Sequence, residues 1–441
     1  MKSNSYCIEK EGKMEKKNNA EANALTPIGK NERKSWISMA FVQAGICVCV
    51  PSFLEGALLA EAMPVWPAII SGTLGYVIVV VVMSILGMMG CDLGMASCTL
   101  TKSTFGDKGG RYIVSLIFAI NLIGWFGIQN GVCGEAFTNF MSEYAGIEVP
   151  LVVSNILWGI IMLLTAVFGM SALEKLDYVS IPFLIVVMAL GTYLAIKEYG
   201  MSGMGKEVTQ TMSFLGGVGL SFNFYAVGTI TAADITRFQK SRKDTIKSVV
   251  WGVFPMGVIT LVLGVLLTKI ADNYDISMVL IAVGIPVFGV LALILSTWTT
   301  NSTNAYSAGL DIVMALGVPD HRRREVTIIA GLVGTVLGAV GILNHIEGFL
   351  SFLSFLVCPV GGVMMADYWI VGKGKAENWH PVKGFNWTGV ASWALGAIIA
   401  YLFKIEYLGI LAGFVIYLIV EKFVPSQSRV ADGRLKEEKA S

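Results

Sequence analysis

Residues 296–306 read STWTTNSTNAY, and this is the most polar stretch within an apolar part of the chain. Eight of the eleven side chains are Ser, Thr or Asn. Thr299 and Thr300 are adjacent, so beside a broken helix their hydroxyls can flank one point and offer the hard oxygen ligands that suit a small alkali cation. Hydrogen bonding between packed helices is the alternative role. The density of polar residues favours the cation site.

Glu55 is a second polar residue at an unexpected depth, within the apolar run 36–61. Its carboxylate could face a substrate, lie on a proton path, pair with a cationic amine of the substrate or reach the outer surface. Ionisable groups are costly inside such runs and often mark functional sites. The sequence leaves these roles open.

No catalytic or metal-binding cluster is indicated. The seven cysteines fall mostly within apolar runs and lack CxxC or Cys/His spacing, so we interpret them as core residues. His321, His345 and His380 fall between apolar runs, without an HExxH or nucleophile-elbow motif. A channel would need a charged or carbonyl-lined pore, for which we find no signal. We therefore predict neither an enzyme nor a cofactor-binding protein.

The composition places these residues in a membrane protein. Of 441 residues, 55% are hydrophobic and 14% are charged, whereas a soluble domain carries about 25% charged residues. A hydrocarbon core needs about 20 helical residues per span, and only helices satisfy the backbone within such spans. About twelve are predicted: 36–61, 65–90, 111–141, 149–171, 177–197, 211–233, 247–270, 280–313, 325–344, 347–371, 385–403 and 406–424.

The basic residues indicate the orientation. With twelve spans and a cytoplasmic N-terminus, 28 of the 32 Lys and Arg residues lie inside, and only Lys197, Lys206, Lys269 and Lys404 lie outside, as the positive-inside rule requires. The formal net charge of +1 provides no basic surplus for nucleic acid. We predict a multi-pass protein of the cell (inner or plasma) membrane, with both termini cytoplasmic, the lipid bilayer around it and no nucleic-acid partner.

Two predicted spans are interrupted at corresponding positions. Span one carries residues 50–52 (VPS), and proline removes a helical hydrogen bond. Span six carries residues 216–219 (GGVG), then Asn223, then Gly228 and Thr229. Paired interruptions in two halves of a chain indicate an inverted-repeat secondary transporter with its site at the unwound midpoints. The alternative is that glycine is common in membrane helices, and this chain has 49 glycines.

The predicted domain organisation follows from these spans. Residues 1–34 have the polar composition of a disordered cytoplasmic tail. Residues 35–424 form one transporter domain, and 425–441 form a second cytoplasmic tail. Within the domain we expect repeat one at about 35–197, repeat two at about 211–371 and extra helices at about 385–424.

Four groups of motifs, in order along the chain, resemble those of the nucleobase:cation symporter-1 family. They are 124–127 (GWFG), 233–238 (ADITRF), 298–301 (WTTN) with 306–310 (YSAGL), and 359–363 (PVGGV) with 366–368 (ADY). The resemblance covers essentially all twelve spans and is nearest to bacterial cytosine and purine permeases. It implies an all-α polytopic membrane protein with the LeuT-type fold, in which two inverted five-helix repeats precede two C-terminal helices.

The resemblance also implies that a nucleobase-like ring binds between two aromatic side chains. Trp125 falls on the family's stacking tryptophan. Counting back nine residues from Asp234 gives Tyr225 as the second ring, with Phe224 adjacent and equally aromatic. Stacking contributes about 1–3 kcal/mol per base whichever base is bound, so the identity of the ring must be read by hydrogen bonds at its edge.

Amide side chains are the candidates for reading that edge. Gln129 lies one helical turn after Trp125 and matches a glutamine of hydantoin-type relatives, and its amide both donates and accepts hydrogen bonds. Asn301 and Asn304 are the other candidates. Leu122 stands where cytosine permeases carry a glutamine, so the resemblance does not identify cytosine as the substrate.

The family's sodium site falls on five residues. The carbonyls of Gly45, Val48 and Ser296, with the hydroxyls of Thr299 and Thr300, would hold the ion, and the presence of both hydroxyls favours sodium over protons. The hypothesis is a symporter that imports cytosine, a purine or a hydantoin- or hydroxymethylpyrimidine-like heterocycle by alternating access. A proton-coupled permease of the same family for another small substrate is the alternative, and a membrane-embedded enzyme is less favoured.

Overall fold

The computed structural model describes residues 24–206, 208, 211–342 and 346–424, and within them the backbone is almost entirely helical. The predicted C-terminal tail and the first 23 residues lie outside this part. The first eight principal helices are α1 (Trp36–Cys47), α2 (Val50–Ala62), α3 (Val65–Leu93), α4 (Ser97–Thr104), α5 (Ser115–Ala145), α6 (Leu151–Phe168), α7 (Met170–Tyr199) and α8 (Phe214–Phe224). The others are α9 (Ala226–Ile230), α10 (Arg242–Ala271), α11 (Ile276–Ala282), α12 (Pro286–Leu316), α13 (Arg323–Ala339), α14 (Ile346–Met365), α15 (Trp387–Phe403) and α16 (Leu408–Phe423).

Several of these helices have the length and composition of membrane spans. Six continuous helical segments of the described residues are long and apolar enough to cross a bilayer. The pair α1 and α2 makes a seventh if it is one span, bent by 55° at its break. The helices α8 and α15 are apolar but shorter. The protein is therefore a multi-pass membrane protein, and the total of twelve spans stays a prediction.

The first interruption lies slightly earlier than the predicted one at residues 50–52. Helix α1 ends at Cys47, and Val48, with ψ of 80°, turns the chain before α2 begins at Val50. Pro51 lies in the first turn of α2, where the N–H group that proline lacks has no helical partner. The proline therefore begins the second half-helix instead of breaking a continuous one.

The second interruption is at Tyr225, between the predicted Asn223 and Gly228, although the glycines at 216, 217 and 219 do not themselves break the helix. Helix α8 continues through these glycines, and a side chain on Gly217 would overlap the Ser71 hydroxyl. The Tyr225 N–H donates to the carbonyl of Phe222 at 3.1 Å, an i to i−3 bond that ends the helix. The glycines therefore allow close helix packing.

The eighth predicted span, 280–313, is in fact two helices. Helix α11 ends at Ala282, Gly284 has φ of 89° and Pro286 begins α12. Glycine adopts this backbone conformation without strain, and proline suits the first helical turn. At a rise of about 1.5 Å per residue, the polar stretch begins about 15 Å along α12.

The two halves of the chain pack against each other reciprocally. Helix α2, from the first span of one half, packs against α10, the second span of the other, and α8 packs in turn against α3. In the same way α5 packs against α13 and α6 against α12. Two inverted repeats related by an approximate two-fold axis produce this exchange. Helices α15 and α16 pack on α14.

Helices α2 and α10 touch along their backbones at two glycines. A side chain on Gly56 would overlap the Leu261 carbonyl, and one on Gly264 would overlap the Phe53 carbonyl. Small residues allow membrane helices to approach this closely. We call Gly56 and Gly264 the glycine seam.

The predicted disorder of residues 1–34 is wrong for the part that the structure describes. Ala24 is buried, and a short helical turn, Lys30–Glu32, precedes α1. The Arg33 Nη1 atom donates to the carbonyls of Cys91 at 2.7 Å and of Gln239 at 2.5 Å. The polar composition that suggested disorder instead supplies hydrogen bonds to the ends of neighbouring helical segments.

Candidate functional site

A small cavity of about 50 Å³ lies where the two interruptions meet the middle of α5 and α12. Its wall contains five of the predicted substrate-binding residues, namely Trp125, Gln129, Phe224, Tyr225 and Asn304. These residues come from three separate parts of the chain. The structure therefore brings most of the predicted binding residues together.

Trp125 and Phe224 belong to the same apolar cluster beside this cavity. Trp125 is only 7% exposed and packs with Leu122 and Val227, and Phe224 packs against that cluster. Tyr225 packs instead in the larger core that contains Tyr76. The two neighbouring aromatic residues thus have different surroundings, and Phe224 is the one grouped with Trp125.

Two amide side chains at the cavity lack hydrogen-bond partners. Gln129 is fully buried, and neither its oxygen nor its nitrogen bonds to any part of the chain that the structure describes. The Asn304 Nδ2 atom is also buried without a partner. Leaving such a group unsatisfied costs about 1–3 kcal/mol. A polar ligand edge with both donors and acceptors would relieve this cost.

Asn301 and Glu55 are not in the cavity wall. The Asn301 Nδ2 atom donates to the Phe126 carbonyl at 3.0 Å, which joins α12 to α5. Glu55 is buried and accepts a hydrogen bond from the Tyr76 hydroxyl at 3.2 Å, which joins α2 to α3. Both predicted substrate contacts are therefore replaced by contacts between helices in this structure.

Four oxygen atoms of the predicted sodium site lie close together. The Thr299 hydroxyl lies 3.0 Å from the carbonyl oxygens of both Gly45 and Ser296. The Thr300 hydroxyl lies 3.1 Å from the same two carbonyl oxygens. We call these four atoms the oxygen cluster. It joins the end of α1 to the middle of α12.

The chemistry of this cluster suits a hard cation. Each hydroxyl has one proton but lies within hydrogen-bond distance of two carbonyl oxygens, so its proton is shared and its lone pairs remain to be used. Carbonyl and hydroxyl oxygens are the ligands that hard cations prefer. Val48 caps α1 outside the helical conformation, with φ of −89° and ψ of 80°. The residues present therefore fit sodium.

Helical periodicity identifies cavity residues that the sequence analysis did not propose. Thr300, Thr303, Asn304 and Ser307 all contribute to the cavity wall, and their spacing of three and four residues puts them on one face of α12. Thr303 and Ser307 are the new members of this set. Thr300 belongs to both the cavity and the oxygen cluster.

A second and larger cavity, of about 580 Å³, lies next to the first. Pro51 contributes to the walls of both, and Glu135, Tyr274 and Asp275 contribute to the larger one alone. The start of α2 therefore separates a wide, acidic vestibule from the small inner cavity.

Comparison of the whole sequence with known families decides the classification. The sequence profile described as "Permease for cytosine/purines, uracil, thiamine, allantoin" matches residues 27–422. The chain belongs to this permease family. The match includes every helix from α1 to α15 and most of α16, so the predicted membership of the nucleobase:cation symporter-1 family is confirmed.

Two similar proteins illustrate the range of named substrates within the family. The permease is 27% identical to the cytosine permease of Escherichia coli (strain K12), with 92% of this chain and 95% of that protein covered. It is 24% identical to the allantoin permease of Bacillus subtilis (strain 168), with 92% and 94% covered.

Two solved structures share the permease's fold. One is a nucleobase-cation-symport-1 family transporter in a closed conformation with bromovinylhydantoin bound, with a TM-score of 0.81, 18% identity and 91% and 95% of the two chains covered. The other is a Na⁺-coupled sialic acid symporter in an outward-open state, with a TM-score of 0.67, 14% identity and 93% and 94% covered. The predicted LeuT-type, all-helical fold is thus confirmed.

Proposed function

We propose that the permease imports a planar nucleobase or related heterocycle together with sodium. The observation that carries this proposal is a buried cavity with aromatic walls and unpartnered amides, which shares Thr300 with the oxygen cluster. A residue shared by the substrate site and the cation site offers a direct route for coupling the two ligands.

The ring would stack between Trp125 and Phe224. Each base stacked on an aromatic side chain gains about 1–3 kcal/mol, with little dependence on the identity of the base. The shared cluster of these two residues supports Phe224 over Tyr225 as the second ring. Stacking would therefore select flat rings as a class.

Gln129 and Asn304 would select among flat rings. Together their unpartnered atoms offer one acceptor oxygen and two donor nitrogens. A site that hydrogen-bonds its substrate rejects analogues without matching groups, because its own buried atoms are then left unpaired. Cytosine, uracil, purines and hydantoins all carry edges that can match, while Leu122 makes this part of the wall apolar.

Gly45, Ser296, Thr299 and Thr300 would hold sodium, with Val48 as the fifth ligand. When bound, sodium adds a driving force of about 2.3 kcal/mol per 100 mV of inside-negative potential, besides its concentration gradient. Thr300 would couple the two sites, since the ligand at either one restrains the same side chain and therefore favours binding at the other. The proposed location is the cell membrane, with both termini in the cytoplasm.

Uptake into proteoliposomes tests the proposed function. Labelled cytosine, uracil, hypoxanthine, allantoin, a hydantoin and hydroxymethylpyrimidine are offered under an inward sodium gradient, with potassium replacing sodium as the control. We expect at least one heterocycle to accumulate only with sodium. Accumulation driven by a proton gradient alone would refute sodium coupling and favour the proton-coupled alternative, and no accumulation of any heterocycle would refute the substrate class.

Substitution of the adjacent aromatic residues distinguishes their roles. We expect Phe224→Ala to raise the half-saturating substrate concentration about tenfold, because a stacked face contributes about 1–3 kcal/mol. Tyr225→Phe retains the ring and is expected to change that concentration less than threefold. Uptake kinetics for the substrate found above provide the measurement. A large effect of Tyr225→Phe with no effect of Phe224→Ala would reverse the assignment.

A further inference from the structure

We propose that Asp177 of α7 is the charged ligand of the sodium site and adds a carboxylate from a third helix to the oxygen cluster. This inference rests on the proposed sodium coupling and extends it. It assigns a residue that was not among the five predicted ligands.

Asp177 lies directly beside Gly45, the α1 residue whose carbonyl oxygen belongs to the oxygen cluster. A side chain on Gly45 would overlap the Asp177 Oδ1 atom and would lie 3.3 Å from the Thr299 Cβ atom. The space beside Gly45 is thus filled by the carboxyl group on one side and by Thr299 on the other. A glycine is needed here because any other residue would displace the carboxylate from the cluster.

The face of α7 that carries Asp177 packs along α1. Ile181 and Leu184, four and seven residues after Asp177, pack in one apolar cluster with Ala44 and Val48. Side chains at this spacing lie on one face of a helix. Asp177 is therefore on the face of α7 that packs against the break between α1 and α2.

The carboxyl group of Asp177 has no partner that would explain its burial. Asp177 is 1% exposed, and its Oδ1 atom bonds to none of the described residues. No ion pair in the described part of the chain involves it. The Ser180 hydroxyl, one turn later, is also buried and unpartnered. A buried carboxylate requires a counter-charge, and a cation at the adjacent cluster provides one.

No basic side chain on the surrounding helices takes the place of that cation. Helix α7 packs against α1, α6, α10, α11 and α12. Helices α1, α6 and α11 contain no Asp, Glu, Lys, Arg or His residue. The only such residue of α12 is Asp311. The charged residues of α10 are in its first two turns and at Lys269, which donates to the Lys206 carbonyl. On α7 itself, Glu174 pairs with Lys34, and Lys175 lies two residues before Asp177 and therefore on the opposite face of the helix.

A carboxylate changes what the site can bind. Gly45, Ser296, Thr299 and Thr300 offer only neutral oxygens, so a cation bound by these alone would leave a net positive charge in an apolar interior. With ionised Asp177 the occupied site is neutral, which lowers the penalty for burying the ion.

Thermal unfolding of the purified permease in nanodiscs tests this inference without using transport. A ligand that binds the folded state stabilises it by RT ln(1 + L/Kd), where L is the free ligand concentration, so the unfolding midpoint rises with ligand concentration and a fit of that rise gives the half-saturating concentration. The midpoint is measured against sodium chloride at constant ionic strength, with choline chloride as the replacement salt. We expect Asp177→Asn to raise the half-saturating sodium concentration at least tenfold at pH 8.

The matched control is Glu55→Gln. Glu55 is also a buried carboxyl group with one unpartnered oxygen, but it lies on α2 and is bonded to Tyr76. We expect its sodium response to equal that of the wild type. If Asp177→Asn also responds as the wild type does, Asp177 is not a ligand although sodium coupling stands. If the wild type itself shows no response to sodium, sodium coupling and this inference are both overturned.

Asp177→Glu keeps the carboxylate and provides a second variant. We expect its half-saturating sodium concentration to lie between those of the wild type and Asp177→Asn. A value for Asp177→Glu equal to that of Asp177→Asn would assign the effect to packing and overturn the inference.

Discussion

Replacement of Trp125 by alanine is expected to raise the half-saturating substrate concentration by about 5- to 150-fold, which corresponds to the loss of about 1–3 kcal/mol of stacking. The tryptophan is 7% exposed in the wall of the inner cavity, so its removal also leaves a void beside Leu122 and Val227. The remaining amides cannot compensate, because they contact the edge of a ring and not its face.

The measurement is the concentration dependence of uptake, combined with direct binding to the detergent-purified protein. Trp125→Phe keeps an aromatic face and is expected to lose less than tenfold. Trp66→Ala controls for the loss of a tryptophan in general, since Trp66 is 72% exposed and belongs to the wall of neither cavity. Unchanged substrate affinity in Trp125→Ala would remove stacking from the proposed function.

Combined replacement of Thr299 and Thr300 by alanine is expected to abolish the stimulation of uptake by sodium. The two hydroxyls are the only side-chain oxygens in the oxygen cluster, and each lies 3.0–3.1 Å from the carbonyls of Gly45 and Ser296. Without them the carbonyls of Gly45, Ser296 and Val48 and the proposed Asp177 carboxylate remain, so the cation loses two of its six proposed ligands.

Thr297→Ala is the matched control for this double variant. The Thr297 hydroxyl donates to the carbonyls of Leu293 and Ile294 within its own helix, at 2.8 and 3.1 Å, and takes no part in the cluster. We expect its sodium dependence to be that of the wild type. The combined change of Thr299 and Thr300 to serine keeps both hydroxyls and should retain sodium dependence. Sodium dependence that survives the alanine double variant would contradict the proposed site.

Residue type and order were enough to predict the architecture and the centre of the site. The apolar runs predicted helices, and the motif around Trp125 predicted a residue that lines the cavity. The exact positions of the helix breaks were harder to predict from the sequence. Gly216, Gly217 and Gly219 are compatible with a break or with close packing, and only the neighbouring Ser71 shows that packing is the role of Gly217.

Asp177 illustrates a second limit of the sequence. The predicted span 177–197 began at this residue and so placed the carboxylate at the edge of the membrane. Helix α7 begins at Met170, so Asp177 lies about 10 Å inside it at about 1.5 Å per residue. Hydropathy could not show this, because residues 174–177 contain three charged side chains, which interrupt an apolar run but not the helix, where Glu174 pairs with Lys34 before α1.

The glycine seam constrains how the permease can move. With Gly56 and Gly264 in backbone contact, α2 and α10 cannot slide past each other without a clash, so they must travel together as a rigid body. Helix α1 is separated from this body by Val48 and Cys49, which lie outside both half-helices. Rotation about these two residues would swing the vestibule side of the protein while the carbonyl of Gly45 stays in place. The break thus lies beside the ion site, and because Val48 is the proposed fifth ligand, rotation there would also move one ligand of the ion.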